Sequence, residues 1–296
     1  MTTILKGSEL AATMRTEIEA SIMDLLARGG RAPQLVTVLV GRNPSSEAYR
    51  SSIERTTGRL GILHRPVELP KSTDEASLIR EIHALNADPE VTGVLVLMPL
   101  PGNLNPHAVL EHLSPLKDVD GITPTNAGRL YLGLPSLRPS TPQGGIELLD
   151  HYGIEIEGKN VVVIGRSNVV GRPMASLLMQ RHGTVTICHR RTVSLAHFTR
   201  QAEIVTVAAG HPGLVRPDMV QPGAVVLDFG VNVVGDKLVG DVDFEGLCGI
   251  AGAISPVPGG TGPVTALVLA RNTVAAGFAS LQGNLDHVEM VQAVRF

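Results

Sequence analysis

The chain contains no tryptophan, and aromatic residues of any kind make up 3% of its 296 residues. Aromatic platforms on which single-stranded bases stack are therefore not expected. Cysteine is scarce: Cys188 and Cys248 are the two present, and neither has a CxxC partner. They cannot build a disulfide framework, which points to a reducing compartment. Neither charge sign dominates, with 25 Lys and Arg against 28 Asp and Glu and a net charge of −3. With a pI near 6.4, no basic face for nucleic acid or a membrane surface is expected. The ten histidines form no HExxH or Cys/His metal spacing, so no metal site is expected. Met1 to Lys6 lacks an apolar signal core. No uninterrupted apolar run approaches the roughly 18 residues of a membrane span; the most apolar stretch, Val91 to Pro101, is broken by Gly93, Pro99 and Pro101. A cytoplasmic, soluble protein is the expectation.

What is present is a large core-forming fraction, 43% hydrophobic against 18% charged, on a chain long enough for about two domains of roughly 150 residues each. Helical and strand periods alternate. Ser8 to Ala27, Ser45 to Leu60 and Ser72 to Leu85 read as helices. Ser45-Ser46 is a candidate cap for the second, and Ser72-Thr73-Asp74-Glu75 a capping box for the third. Leu35 to Val40, Ile62 to Leu69 and Val94 to Leu97 read as strands. The turn-rich stretch Leu132 to Gly145 is a candidate linker. The alternation then restarts: strands at 161–164, 184–188, 204–208 and 224–227, helices at 173–181 and 194–203, and a long apolar helix from Val264 to Leu281. Strands joined by helices imply parallel sheets covered on both faces, an α/β fold.

The sharpest local pattern is strand, turn and helix across Val161-Val162-Val163-Ile164-Gly165-Arg166-Ser167-Asn168-Val169-Val170-Gly171-Arg172-Pro173. It places backbone amides and a helix N-terminus where a phosphate can sit, although it departs from GxGxxG in having Ser167 as its middle residue. In a dinucleotide site an acidic residue after the next strand favours NAD, and a basic one accepts a 2′-phosphate. Here Arg190-Arg191 follow that strand, and Arg166 can converge on the same phosphate through its guanidinium fork. NADP is therefore preferred to NAD. A further glycine cluster, Pro256-Val257-Pro258-Gly259-Gly260-Thr261-Gly262-Pro263, leads into the last helix.

These blocks, together with Asn43-Pro44-Ser45-Ser46 and Tyr49, Met98-Pro99-Leu100-Pro101, Lys117-Asp118-Val119-Asp120-Gly121, Asn126, Gly128-Arg129-Leu130 and Thr141-Pro142, resemble the bifunctional methylenetetrahydrofolate dehydrogenase/cyclohydrolase family over nearly the whole chain. The resemblance implies two α/β domains with a folate cleft between them, the C-terminal one a Rossmann domain for NADP, and a homodimer. It implies a folate-binding, catalytic domain at 1–138, completed by a C-terminal helix at 266–296, and an NADP domain at 139–265. By position, Tyr49 matches the tyrosine that stacks near the folate and Asp120 the aspartate that hydrogen-bonds the pterin. Gly165, Arg166, Ser167, Val170 and Gly171 match the NADP loop. Arg190, where the family often has serine, and Arg191 stand at the 2′-phosphate, and Val231 at the nicotinamide end. Pro258, Gly259 and Gly262 match substrate-loop positions.

Two departures stand out. The family's catalytic lysine, four residues after the tyrosine and so on the same helix face, is Ile53 here, and its glutamine is Leu97. Glu54 and Arg55 lie about 100° and 200° around the helix and do not substitute. Hydride transfer needs two rings in near-attack geometry and little proton transfer, whereas hydrolysis of the methenyl carbon needs an acid or base. The expectation is an NADP-dependent dehydrogenase with weak or absent cyclohydrolase activity. The alternatives are a fully bifunctional enzyme, a silent folate- or NADP-binding paralogue, and a shikimate-dehydrogenase-like enzyme.

Overall fold

The computed structural model describes residues 1–235, 237–286 and 288. The chain divides into two compact units, one of Met14–Ser140 with the chain from Ala266 onward, the other of Met1–Thr13 with Thr141–Thr265.

In the first unit, β2 (Gln34–Val40), β3 (Leu63–Leu69) and β4 (Gly93–Val96) form a parallel sheet in the order β3-β2-β4, with Val36 opposite both Arg65 and Val94. β2 and β4 are buried along nearly their whole length, as parallel strands with both faces covered must be. Their connections are α2 (Pro44–Arg59) and α3 (Glu75–Ala87). One face packs Val36, Val38, Val40, Val94 and Val96 against Leu78, Ile82 and Leu85 of α3 and Val109 and Leu110 of α4 (Pro106–Glu111). The Ser72–Glu75 capping box is not formed. Asp74 caps α3 instead, accepting from Ser77 N at 2.6 Å, while Glu75 accepts from Asn105 N at 3.0 Å. Similarly Asn43, not a serine, accepts the Ser46 amide at the start of α2, at 3.2 Å; the Ser46 hydroxyl donates to Met98 O at 3.1 Å.

The second unit holds a six-stranded parallel sheet. Its strands are β1 (Thr3–Ile4), β5 (Asn160–Ile164), β6 (Thr184–Cys188), β7 (Ile204–Val207), β8 (Val225–Asp228) and β11 (Ala253–Ile254), in the order β1-β11-β8-β7-β5-β6. The chain runs from β5 out to β6 through α7 (Gly171–Gln180), then returns past β5 to β7 through α8 (Leu195–Thr199). The order therefore reverses between β5 and β7, which is where open α/β sheets bind ligands. An antiparallel ribbon, β9 (Asn232–Val234) with β10 (Lys237–Val239), follows β8, and α9 (Phe244–Leu247) leads to β11.

The structure moves three expected boundaries. Residues 1–13, expected in the first domain, group with the second unit because β1 pairs with β11 at the sheet edge. The expected linker reaches only to residue 139, since α6 (Ser140–His151) begins at Ser140. Its Gly145 is a packing glycine: a Cβ there would lie 2.4 Å from Phe229 Cζ. The C-terminal helix, expected to 296, is α10 (Gly262–Gln282). It stops where Gly283 takes φ +73° and donates to Ala279 O at 2.8 Å, a left-handed C-cap. Residues 287 and 289–296 of the expected helix lie outside the described residues. By length and mean hydropathy α10 could cross a membrane, although Arg271, Asn272 and Thr273 interrupt its apolar run, and 83% of its most apolar window is buried in the protein.

Inside α10, Asn272 is fully buried and donates to both Val119 O and Arg138 O at 2.8 Å. One amide thus braces the loop that carries Asp120 and the segment that leads into Ser140. Asn272→Ala leaves those carbonyls without that donor and lowers stability by about 1–3 kcal/mol, read by urea unfolding; a loss below about 0.5 kcal/mol would show that the brace carries no load.

Candidate active site

The first unit assembles its polar cluster from three elements. Tyr49 stands on α2, Asp120 in the loop after β4, and Ser140 at the first position of α6. The Ser140 hydroxyl donates to Asp120 Oδ1 at 2.8 Å, and its amide approaches the same oxygen at 3.3 Å. A carboxylate at a helix N-terminus is favoured by the unpaired amides and the helix dipole. Among the described residues, Asp120 Oδ2 makes no hydrogen bond. Tyr49 is half-buried, and its phenol feels both Asp120 and the Ser140 side chain. Burial, then the charge of Asp120, hold its phenol well above the ordinary tyrosine range, with the Ser140 side chain partly opposing. Burial also pushes Asp120 up to about 6; the Ser140 bonds oppose the shift and Asp118 adds to it.

Asp118 serves the loop. It accepts from Ile122 N at 3.2 Å, Thr123 N at 2.8 Å and Asn126 Nδ2 at 2.9 Å, so it anchors the start of α5 (Pro124–Tyr131). Burial raises its pKa. Gly121 makes the turn possible, with φ +60° and no room for a Cβ, which would lie 2.2 Å from Leu137 O.

The positions where the family lysine and glutamine are expected are core positions here. Ile53 is fully buried and Leu97 is 3% exposed. Among the described residues of this unit, no ammonium bears on Tyr49 or Asp120. The lysines of the unit are Lys71 and Lys117. Lys71 is exposed, and Lys117 donates to Leu85 O at 3.0 Å and Asp88 O at 2.7 Å at the end of α3. The charges that bear on Tyr49 and Asp120 are those of carboxylates.

In the second unit the glycine loop has the geometry of a phosphate cradle. Gly165 takes φ +123° at the end of β5, and a Cβ on it would lie 2.3 Å from Ala208 O beyond β7. A Cβ on Gly171 would lie 2.2 Å from Gly165 O. Both close approaches require glycine. Ser167 Oγ accepts from Val170 N at 3.1 Å and Gly171 N at 3.4 Å, organising the turn ahead of α7. Arg166, Arg190 and Arg191 are exposed and, among the described residues, form no ion pair. Three uncommitted guanidiniums beside a tight glycine loop at the sheet's reversal fit a phosphorylated dinucleotide. Val231 is 64% exposed beyond β8. Pro258 and Gly259 are exposed, and Gly259 accepts from Gly7 N at 3.0 Å. Gly262 has open space where a Cβ would stand, so packing does not require glycine there.

Sequence reasoning missed Ser140, which lay in the assumed linker. It also missed the buried pair Asp228 and Asp241. Asp228 accepts from Gly230 N, Asp241 N and Val242 N at 2.7–3.0 Å, and burial lifts it to about 6. Asp241 accepts from Ala209 N, Gly210 N and His211 N at 2.6–2.9 Å. Together they pin the loops after β7 and β8. The signal available was the pair of glycines that clear them: a Cβ on Gly240 would lie 1.9 Å from Asp228 Oδ2, and one on Gly230 2.4 Å from the Asp241 carboxyl.

Comparison with known proteins agrees with this geometry. Residues 5–120 match the model of the tetrahydrofolate dehydrogenase/cyclohydrolase catalytic domain, and residues 139–280 that family's NAD(P)-binding domain. The bifunctional protein FolD of Chloroflexus aurantiacus is 49% identical over 92% of this chain and 96% of its own length. The crystal structure of the bifunctional FolD enzyme from Campylobacter jejuni superimposes with a TM-score of 0.91 at 40% identity, covering 95% of this chain and all of that one. The Trypanosoma brucei FolD enzyme, solved with NADP cofactor and inhibitor, gives 0.90 at 35% identity, covering 95% of this chain and 99% of that one. With both halves matched in order, the chain belongs to the tetrahydrofolate dehydrogenase/cyclohydrolase family.

Proposed function

We propose that this protein oxidises 5,10-methylenetetrahydrofolate to the 5,10-methenyl form with NADP, and that its hydrolysis of the methenyl product to 10-formyltetrahydrofolate is weak or lost. The observation that carries the reading is the composition of the Tyr49–Ser140–Asp120 cluster: a phenol, a hydroxyl and a carboxylate, with Ile53 and Leu97 at the family's lysine and glutamine positions and no ammonium in their place. Family membership sets aside the shikimate-dehydrogenase-like alternative. NADP, when bound, supplies the hydride acceptor. The chain's own residues bind and orient. Asp120 Oδ2 offers an acceptor to the paired N–H groups of a reduced pterin, with Oδ1 already fixed by Ser140. Tyr49, kept as a neutral phenol, supplies a flat face for the ring. Oxidation of a methylene bridge asks for orientation rather than proton transfer. Hydrolysis asks for a positioned acid or base, a contribution of about 10²–10⁴-fold, and Ile53 supplies none.

The same reading assigns the pterin to a catalytic domain at 1–138 with the helix from 266, and NADP to 139–265. In the latter, Gly165, Ser167, Val170 and Gly171 hold the diphosphate, Arg166, Arg190 and Arg191 the 2′-phosphate, and Val231 the nicotinamide end. Pro258, Gly259 and Gly262 border the substrate. A cytoplasmic homodimer completes the proposal. Retention of the tight glycine loop supports redox work over a silent paralogue, since Gly165 and Gly171 admit no side chain.

The decisive assay follows NADPH formation from methylenetetrahydrofolate and the decay of supplied methenyltetrahydrofolate separately. Decay slower than oxidation by on the order of 10²-fold is expected; equal rates would overturn the loss of hydrolysis, and no NADPH formation would indicate the silent paralogue. For the cofactor, NADP is expected to be used at least about 10-fold better than NAD, and Arg190→Ser with Arg191→Ser to remove most of that margin, since a charge-assisted hydrogen bond contributes about 1.5–3 kcal/mol. Equal use of NAD by the unaltered protein would refute the phosphate assignment.

A further inference from the structure

Strand β6 ends in a turn that is closed twice. Cys188 stands opposite Ile164 in the sheet, and its carbonyl accepts from Gly165 N at 2.8 Å. The chain therefore leaves β6 beside the first glycine of the loop that carries Arg166. The next four residues, His189-Arg190-Arg191-Thr192, form a β-turn. Thr192 N donates to His189 O at 2.7 Å, and neither arginine takes a positive φ, as in a type I turn. The side chains at the two ends close the turn again. Thr192 Oγ1 accepts from His189 N at 2.9 Å, and His189 Nδ1 accepts from Arg191 N at 3.2 Å. Both end residues are half-buried, and the two arginines between them are exposed. The Arg190 amide makes no hydrogen bond among the described residues.

We propose that His189 and Thr192 are positioning residues for the 2′-phosphate of NADP: they lock the turn so that Arg190 and Arg191 are presented from one fixed backbone. The proposal rests on the assignment of those arginines to the 2′-phosphate in the proposed function, and adds the residues that hold them. An exposed loop bearing two arginines loses backbone as well as rotamer freedom when it closes on an anion. A turn ordered in advance spares the backbone part of that loss. Side-chain acceptors that take nearby backbone amides are the usual means of ordering a turn. Here the Thr192 hydroxyl and the His189 ring nitrogen are spent on the amides of His189 and Arg191. The nitrogen that accepts carries no proton, so the ring acts through the turn and not as a charge. The amide left over, that of Arg190, lies between two guanidinium-bearing residues, and a backbone N–H with guanidinium donors suits a phosphate.

Calorimetric binding of NADP and of NAD to the whole chain, without folate, provides the test, because the two cofactors differ only in the 2′-phosphate. The unaltered protein is expected to bind NADP at least about 10-fold more tightly than NAD. Thr192→Val keeps the shape and removes the acceptor. It is expected to reduce that ratio by about fivefold, the worth of one hydrogen bond, with NAD affinity unchanged within about twofold; Thr192→Ser is expected to restore it. His189→Ala is expected to reduce the ratio similarly, and His189→Asn, whose Oδ1 can take the amide two residues on, to restore it. Thermal unfolding verifies that each variant is folded. An unchanged ratio in folded Thr192→Val or His189→Ala would overturn the positioning role of that residue, and so would NAD and NADP weakened in equal measure. A failure of the underlying phosphate assignment reads differently. The unaltered protein would then show no preference for NADP, or the preference would survive Arg190→Ser with Arg191→Ser.

Discussion

A buried carboxylate held from one side organises the first unit of this protein. Asp120 sits at the N-terminus of α6, where Ser140 occupies Oδ1 through both its amide and its hydroxyl. Burial drives its pKa toward neutrality, and the bonds from Ser140 hold part of that shift back. Much of the surrounding architecture keeps this loop in place. Gly121 turns the chain without a side chain to obstruct Leu137, Asp118 ties the loop to the start of α5, and Asn272 braces it from within α10. The cluster contains carboxylate and hydroxyl groups, and among the described residues the charges that bear on it are those of carboxylates. A carboxylate with one oxygen open favours groups that present N–H donors over anionic ones.

The second unit solves a different problem, the close approach of backbone to phosphate. The reversal of strand order between β5 and β7 opens a crevice, and Gly165 and Gly171 fill it with backbone alone. The fold leaves the guanidiniums of Arg166, Arg190 and Arg191 exposed, and among the described residues they form no ion pair. The loops on the far side of the crevice are fastened by Asp228 and Asp241, whose carboxyls accept six backbone amides between them. These aspartates are structural: their carboxyls hold backbone amides of the loops after β7 and β8.

Much of this was legible in the sequence, and what was not has identifiable causes. Strands such as Thr184–Cys188 were plain because β-branched residues run unbroken between turn signals. The short helices α4 and α5 went unread although each opens on a capping residue followed by proline, Asn105-Pro106 and Thr123-Pro124; six and eight residues are too few for a periodic signal. The start of α6 was hidden by Pro139, Pro142, Gly144 and Gly145. Proline is compatible with a helix's first turn, and the glycines are there for tertiary contact with Phe229 and Val264. That misreading concealed Ser140. Tyr49 and Asp120 were found through family resemblance, since a tyrosine on a helix and an aspartate in a loop carry no periodic signature of their own. Sequence also could not say that Ile53 would be fully buried, which makes the substitution a core residue rather than a displaced polar one.

The central claim is that this protein lacks hydrolysis because it lacks a positioned proton donor, with the rest of the site intact. The most direct test installs one, as Ile53→Lys together with Leu97→Gln, and measures the decay of methenyltetrahydrofolate above its rate in buffer for a variant that unfolds cooperatively. The account predicts a gain on the order of 10²-fold while NADPH formation is retained. A folded double variant with no gain, beside an unaltered protein that already hydrolyses as fast as it oxidises, would contradict it.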